Sequence, residues 1–468
     1  MSRIVAHWAQ HAPQRPALRF QQQTWTYAQL WLRIEQATRA LGLSRGERVA
    51  WLGFNHPDML ALLFAAARLG AILVPLNWRL TAAEHAAILR DCAPRVLYCD
   101  AAFAAQGRGL GIPLGDWSSK GDAPAAGRDE DDLLIVYTSG TTGTPKGAVL
   151  QQRALLWNGY NAIHAHDLRQ DDHVLTALPL FHVGGLNNQT LPALLAGARV
   201  TLHERFDPGT WLRDVAALRP TLSLLVPATL AAVIAHAQWR TADLSSLRLL
   251  NTGSMVVPVS LIDAFHARGV PVGQIYGSTE TAPIAIVLLR EDALRKAGSA
   301  GKPALHCEVR LVEGEIWVRG PNVMRGYWND AAATAAVLTA DGWFKTGDLA
   351  RVDEEGYYWI LGRSRELIIS GGENIHPAEL ENVLADCPLI AEAAVIGIED
   401  ARWGEAACAV VVPAPGATMD ETAVLALFQD RLARYKHPRR VVFADSLPKN
   451  ALGKVQKAEL RKLLQVPR

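Results

Sequence analysis

Ten consecutive residues, Thr138-Ser139-Gly140-Thr141-Thr142-Gly143-Thr144-Pro145-Lys146-Gly147, place five hydroxyls, two interior glycines and a lysine in one short run. Glycines lacking a Cβ let backbone amides converge on an anion, the hydroxyls add donors, and Lys146 supplies a compact positive charge. Such a loop suits a polyphosphate. It is not the arrangement of a Walker A loop, where Gly-Lys precedes a Ser or Thr whose hydroxyl holds magnesium; here Pro145 precedes Lys146 and Gly147 follows it. A kinase or motor-ATPase reading is therefore disfavoured. The apolar run from Asp132 to Tyr137 ahead of the loop predicts a buried strand, which a flexible linker would rarely follow.

Further chemistry recurs along the chain. In Gln274-Ile275-Tyr276-Gly277-Ser278-Thr279-Glu280-Thr281, Tyr276 offers a flat face for a base, Thr279 a hydroxyl for a phosphoryl oxygen, and Glu280 a hard carboxylate for magnesium. Asp348, behind the Thr346-Gly347 turn, is acceptor-only when ionised and can take two hydroxyl donors. Leu249 to Gly253 reads as a strand ending in a glycine turn, a usual way for an open sheet to present backbone to a ligand. His182, between aromatic and glycine residues, would alone be read as a core histidine, and Lys454, beside Gly453, as a solvated charge.

In this order the segments resemble the signature motifs of the adenylate-forming superfamily, which includes acyl-CoA synthetases, carrier-loading adenylation domains and luciferases, over residues 20 to 460. The resemblance implies that Thr138, Ser139, Gly140, Thr141, Thr142, Gly143 and Lys146 hold the ATP phosphates, with Thr279 adding a hydroxyl. It implies that Gly253 and Tyr276 border adenine, Asp348 and Arg363 hold the ribose, and Glu280 holds Mg²⁺. Lys454 matches the catalytic lysine, so Lys454, Glu280, Lys146 and Thr279 form the expected catalytic set. His182, Val183, Gly184, Met255, Gly277, Ser278 and Ala282 are the expected acyl pocket, Gly371 and Gly372 the CoA channel, and Arg365 the hinge. Two departures stand out. Ser254-Met255-Val256 replaces the family's small-residue turn at the adenine site, and Arg365 stands where Asp or Lys is usual.

The elements that must position these groups predict an α/β fold. Strand 48–53, helix 58–68 and strand 71–76 in succession imply a parallel pair. The alternation of 314–320 predicts an antiparallel strand and a β-rich subdomain. Pro377 at a helix start, a helix over 378–385, strands over 393–398 and 406–412, and a helix over 421–432 predict a small α+β domain. The expected division is a large ATP- and acyl-binding domain, 1–363, and a small mobile domain, 364–468. The polar stretch from Gly107 to Asp132 predicts a surface connection.

A net charge of +1 over 468 residues, with both signs interspersed, disfavours a nucleic-acid partner. Five cysteines without a Cys-x-x-Cys pair disfavour a disulfide framework or zinc site, and no apolar run is long enough for a membrane span. A soluble, cytoplasmic enzyme is expected. No Lys or Arg falls in the expected acyl-pocket segments, and Ala231-Ala232 stands where malonate-activating relatives carry an Arg. A second carboxylate would be buried unpaired, which favours a monocarboxylate, fatty or aryl. The expected activity is an ATP-, Mg²⁺- and CoA-dependent acyl-CoA synthetase working through acyl-AMP. The alternatives are a stand-alone adenylation enzyme loading a carrier protein and an inactive nucleotide-binding protein; Lys146, Glu280, Asp348, Arg363 and Lys454 disfavour the last.

Overall fold

A computed structural model describes residues 1, 3–118, 125–138, 145–371, 373–400, 402–449 and 453–464. The strands Arg48–Leu52 and Ile72–Leu76 pair in parallel and are joined by the helix Pro57–Leu69, as the alternation of strand, helix and strand predicts. That helix is apolar around its whole circumference, and residues 59–67 are almost completely buried. A helix of this kind needs partners on every side. It lies in one continuous core with Val49, Leu73 and Leu134 of one sheet and Leu18, Val174 and Leu222 of another. Pro57 starts it without losing a hydrogen bond, the His56 ring accepts from the Asp58 N–H at 3.1 Å, and Gly70 at φ 71° closes it.

Among the described residues, a nine-stranded sheet carries Leu249–Gly253 and Val272–Tyr276 as parallel neighbours. A six-stranded sheet holds Asp132–Thr138 and Lys146–Gln151, which pair antiparallel with Thr138 opposite Lys146. The expected buried strand is thus one arm of a hairpin. Gly326–Tyr327 adds to the other arm, setting Tyr327 opposite Ala148. A four-stranded antiparallel sheet contains Glu315–Arg319, as the alternation predicts, and pairs Phe344–Val352 with Tyr358–Arg363 so that Asp348 faces Arg363.

A fourth sheet draws all its strands from residues 368–443, with the helix Pro377–Ala385 packed on the Ile390–Asp400 strand. The fold is therefore mixed α/β, with a large N-terminal sheet region and a smaller C-terminal one. One expected element is shorter than its periodicity suggests. The helix expected over 421–432 ends at Ala426, because the amides of Leu427, Phe428 and Gln429 bond three residues back, not four, and Asp430 adopts a left-handed φ of 60°. Phe428, fully buried, fixes this turn in the C-terminal core. Among the described residues no helix is long and apolar enough to cross a membrane.

Candidate active site

Three strand ends meet where the sequence reading expects the phosphates. Glu280 lies on the short turn Thr279–Thr281 directly after the Val272–Tyr276 strand, and its Oε1 accepts from the Tyr327 hydroxyl at 2.7 Å. The Lys146 ammonium stands 5.4 Å from the centre of the same tyrosine ring, within cation–π range. Tyr327, which the sequence reading did not single out, therefore joins the two charged groups expected to face phosphates and metal. Thr279 is buried on the same turn, and Thr138 ends the opposing strand, its hydroxyl 3.4 Å from the Lys146 carbonyl. Ser139, Gly140, Thr141, Thr142, Gly143 and Thr144 lie outside the described residues.

Among the described residues no three His, Cys, Asp or Glu side chains gather as a metal cluster. Glu280 alone fits an ion such as Mg²⁺, which takes one or two carboxylates and completes its octahedron with substrate phosphates and water.

At the nucleotide side, Asp348 receives two donors. Arg363 Nε approaches one carboxylate oxygen at 2.7 Å and the Tyr276 hydroxyl donates to the other at 2.8 Å. Each oxygen keeps a second lone pair for a ligand hydroxyl. Burial pushes the Asp348 carboxyl upward, and Arg363 and the Tyr276 hydroxyl pull it back. Burial also opposes the Arg363 charge, yet the neighbouring Asp348, Tyr276, Glu280 and Glu366 outweigh it and raise that pKa. Arg363 is held a second time by the Thr346 carbonyl, 2.9 Å away, and Gly347 at φ 70° makes the kink between them. Gly253 has a packing reason of its own: a Cβ there would lie 2.2 Å from the Ile275 carbonyl oxygen of the adjacent strand. The following Ser254 takes a left-handed φ of 74°, so the departing sequence still makes a sharp turn.

Lys454 reaches this cluster from the far end of the chain. Burial lowers its pKa and Arg363 adds to the effect, whereas Glu366 and Asp348 favour its charge. The adjoining Gly453, at φ 77°, packs so closely that a Cβ would come 3.0 Å from the Ala228 Cβ. Glu366 was missed in the sequence; it follows Arg365 on the turn Ser364–Glu366 and is 3.4 Å from the Lys457 ammonium, which also meets Glu381 at 2.8 Å. This bridge ties the lysine-bearing loop to the turn carrying the expected hinge residue. Arg365 is exposed and its charge is felt by both Glu366 and Lys454. Gly371 stands apart: its described neighbour is Trp403, whose ring would meet a Cβ at 2.5 Å and whose carbonyl accepts the Gly371 N–H at 2.7 Å. Gly372 lies outside the described residues.

On the acyl side, Gly277 has no room for a side chain, since a Cβ would sit 1.6 Å from the Pro283 carbonyl oxygen. Ser278 follows with its buried hydroxyl unpartnered, Ala282 is fully buried, and Met255 is half-buried. His182 caps a helical segment, its Nδ1 accepting from the Gly184 N–H at 3.0 Å, and burial lowers its pKa to about 4. Its ring is thus neutral near pH 7. Val183 and Gly184 are buried behind it. Four residues beyond Val183 comes Asn187, buried, with neither side-chain amide atom partnered. An orphaned buried amide costs about 1–3 kcal/mol unless something bonds to it. Only its polar type within the buried 183–194 run could have signalled this residue.

The buried His166 and His173 each have pKa values lowered to about 4, burial being the largest cause. Their folded-state values lie below the ordinary 6.5, so the native state prefers the neutral rings. Stability is then fully present above pH 6.5 and declines toward pH 4 by up to about 1.4 kcal/mol per pH unit per histidine. Thermal melts at pH 7.5 and 5.0 should show a lower midpoint at pH 5.0; equal midpoints would contradict this.

The family model described as AMP-binding enzyme matches residues 5–328, and that described as AMP-binding enzyme C-terminal domain matches residues 379–454. The chain is 52% identical to an indoleacetate–CoA ligase of Aromatoleum aromaticum, over 97% of this chain and 96% of that protein. It is 44% identical to a feruloyl-CoA synthase of an Amycolatopsis species, over 97% of each. The solved structure of o-succinylbenzoate CoA synthetase of Bacillus subtilis with its acyl-adenylate superposes with a TM-score of 0.90 at 32% identity, covering 98% of this chain and 97% of that one. With both family models matched in order and relatives at 52% and 44% identity over nearly the whole chain, the chain belongs to the AMP-binding enzyme family.

Proposed function

We propose that the protein is an ATP-dependent, AMP-forming carboxylate–CoA ligase whose acid is a monocarboxylate bearing a polar aromatic ring. A free carboxylate is a poor acyl donor, because its leaving group would be oxide. Attack of a carboxylate oxygen on the α-phosphorus of ATP releases pyrophosphate and gives acyl-AMP, from which the CoA thiol displaces AMP. The observation that carries this reading is the approach of Lys454 to the Asp348–Arg363 pair, which adds a cation from the far end of the chain to a candidate nucleotide cradle.

In this scheme Asp348 and Arg363 fix the ribose, Tyr276 borders the base, and Lys146 with the 138–144 loop and Thr279 holds the phosphates. Mg²⁺ bound at Glu280 would supply neutralising charge between the phosphates. Lys454 offsets the negative charge that grows at the α-phosphoryl group, so catalysis is positioning plus electrostatics. A boundary after residue 363, with Arg365 as hinge, would let the 364–468 region withdraw Lys454 and offer the Gly371-Gly372 loop to CoA. The cytoplasm is the proposed compartment, where ATP and CoA are available and where the five free cysteines stay reduced.

The aromatic acid is supported from two sides. The relatives act on indoleacetate and ferulate, both of which end in a ring with a hydrogen-bonding group. The unpartnered Asn187 amide offers such a group a donor and an acceptor. Pyrophosphate and AMP release should be measured against arylacetates, cinnamates, benzoates, fatty acids and dicarboxylates, with and without CoA. CoA-dependent turnover confined to aryl monocarboxylates supports the reading, and preference for fatty acids or dicarboxylates would overturn it. Asn187→Leu should lower kcat/KM about 10-fold for acids with a ring N–H or O–H. Their unsubstituted analogues should change little in the same assay.

A further inference from the structure

We propose that Asp91 is a positioning residue for the ATP phosphates, clamping the strand ends on both sides of the strand that carries Lys146. The proposal rests on the ligase reading above. In the six-stranded sheet the Lys146–Gln151 strand lies between Asp132–Thr138 and Gly326–Tyr327. Asp91 stands on the last turn of the helix Ala82–Cys92 and bonds residues at the ends of both flanking strands. The Tyr137 hydroxyl donates to one carboxylate oxygen at 2.5 Å. From the other flank the Asn329 amide donates to the second carboxylate oxygen at 3.3 Å and to the Asp91 carbonyl at 3.0 Å, and the Trp328 indole donates to that carbonyl at 3.2 Å.

The helix itself does not call for this acid, since a negative charge in the last turn meets the negative end of the dipole. Its end has a cation of its own: Arg48 donates to the Cys92 and Ala93 carbonyls, each at 2.7 Å, and stands 5.5 Å from the centre of the Trp328 ring. Asp91 is instead placed for partners 46 and 238 residues away in the chain. Tyr137 pairs with Gly147, and its ring takes the space that a Cβ there would need, 3.1 Å away. Burial first, and then Asp91, raise the Tyr137 pKa, so the hydroxyl stays a donor. On the other flank, a strand of two residues has few ladder bonds to fix it. The Trp328 N–H adds one to the Gly147 carbonyl at 2.7 Å, and Asn329, at a left-handed φ of 52°, adds its two to Asp91. Thr138 and Tyr327 are next to these clamped residues, and Tyr327 touches both Lys146 and Glu280. Through them Asp91 sets the spacing of the two charged groups proposed to face the phosphates.

The test is KM for ATP, KM for the acid and kcat of the pyrophosphate-releasing half-reaction in the parent, Asp91→Ala, Asp91→Asn, Tyr137→Phe and the double variant Asp91→Ala/Tyr137→Phe, each checked by thermal melting. Asp91→Ala should raise KM for ATP about 10-fold, the effect of losing one hydrogen bond to a charged group. KM for the acid and thioester formation from supplied acyl-AMP should stay at parent values, a split that a general loss of folding would not give. Asp91→Asn, which keeps an oxygen for the Tyr137 hydroxyl, should recover most of the ATP affinity. Tyr137→Phe should move KM for ATP in the same direction, and the double variant should be no worse than Asp91→Ala, because both substitutions remove one contact. Tyr137→Phe, which leaves the carboxylate in place, decides the matter if Asp91→Ala fails to fold. An unchanged KM for ATP, equal losses for ATP, acid and thioester formation, or additive effects in the double variant overturns the proposal alone. Absence of AMP formation with every acid, in the parent, overturns the ligase reading and this proposal with it.

Discussion

Lys454→Ala is expected to slow acyl-adenylate formation by about 10²–10³-fold, the effect of removing one preorganised charge-stabilising donor. Thioester formation from supplied acyl-AMP should be nearly unaffected. The asymmetry follows from placement. Lys454 sits among Asp348, Arg363 and Glu366, two of which are proposed to hold the ribose, and Lys457 three residues on bonds Glu366 and Glu381. Its charge can assist while pyrophosphate departs, whereas thiol attack on the finished adenylate needs no cation at that point. Single-turnover measurement of each half-reaction decides the matter; equal loss in both would contradict a role confined to adenylation.

Asp348→Ala is expected to raise KM for ATP by about 100-fold, because two hydroxyl acceptors and one buried ion pair are lost together. The carboxylate also orders its own donors. Without it, the Tyr276 hydroxyl loses its 2.8 Å partner and Arg363 keeps, among the described residues, the Thr346 carbonyl. Arg363 would then be free to swing toward Glu366 or Glu280, whose charges already reach it. Asp348→Asn, which keeps one acceptor oxygen, should lose less affinity than the alanine variant. ATP titrations that find both variants equal to the parent would remove Asp348 from the nucleotide site.

How legible these features were depends on where each residue's partner lies. Glu280, Asp348 and Lys146 could be singled out because side-chain type and turn context show their chemistry locally. Tyr327 could not, since its role exists only once Gly326–Tyr327 pairs with Lys146–Gln151 and sets its hydroxyl on Glu280, 47 residues earlier. Glu366 and Asn187 were hidden for related reasons: one bridges to Lys457 across the small domain, and the other looks like any helical asparagine until its amide proves unpartnered. Glycines are ambiguous in a different way. Gly253 and Gly371, read as openings for ligands, also have packing reasons of their own, since the Ile275 carbonyl and the Trp403 ring leave no room for a Cβ. The short helix ending at Ala426 shows local periodicity giving way to the burial of Phe428.

The central claim is that the acid's own oxygen attacks the α-phosphorus of ATP. A monocarboxylate labelled with ¹⁸O in both carboxyl oxygens should be turned over with ATP and CoA, and the nucleotide product analysed by mass spectrometry. One labelled oxygen in AMP, with unlabelled pyrophosphate, is the expected result. Labelled inorganic phosphate together with ADP would contradict it, placing the attack on the γ-phosphorus instead.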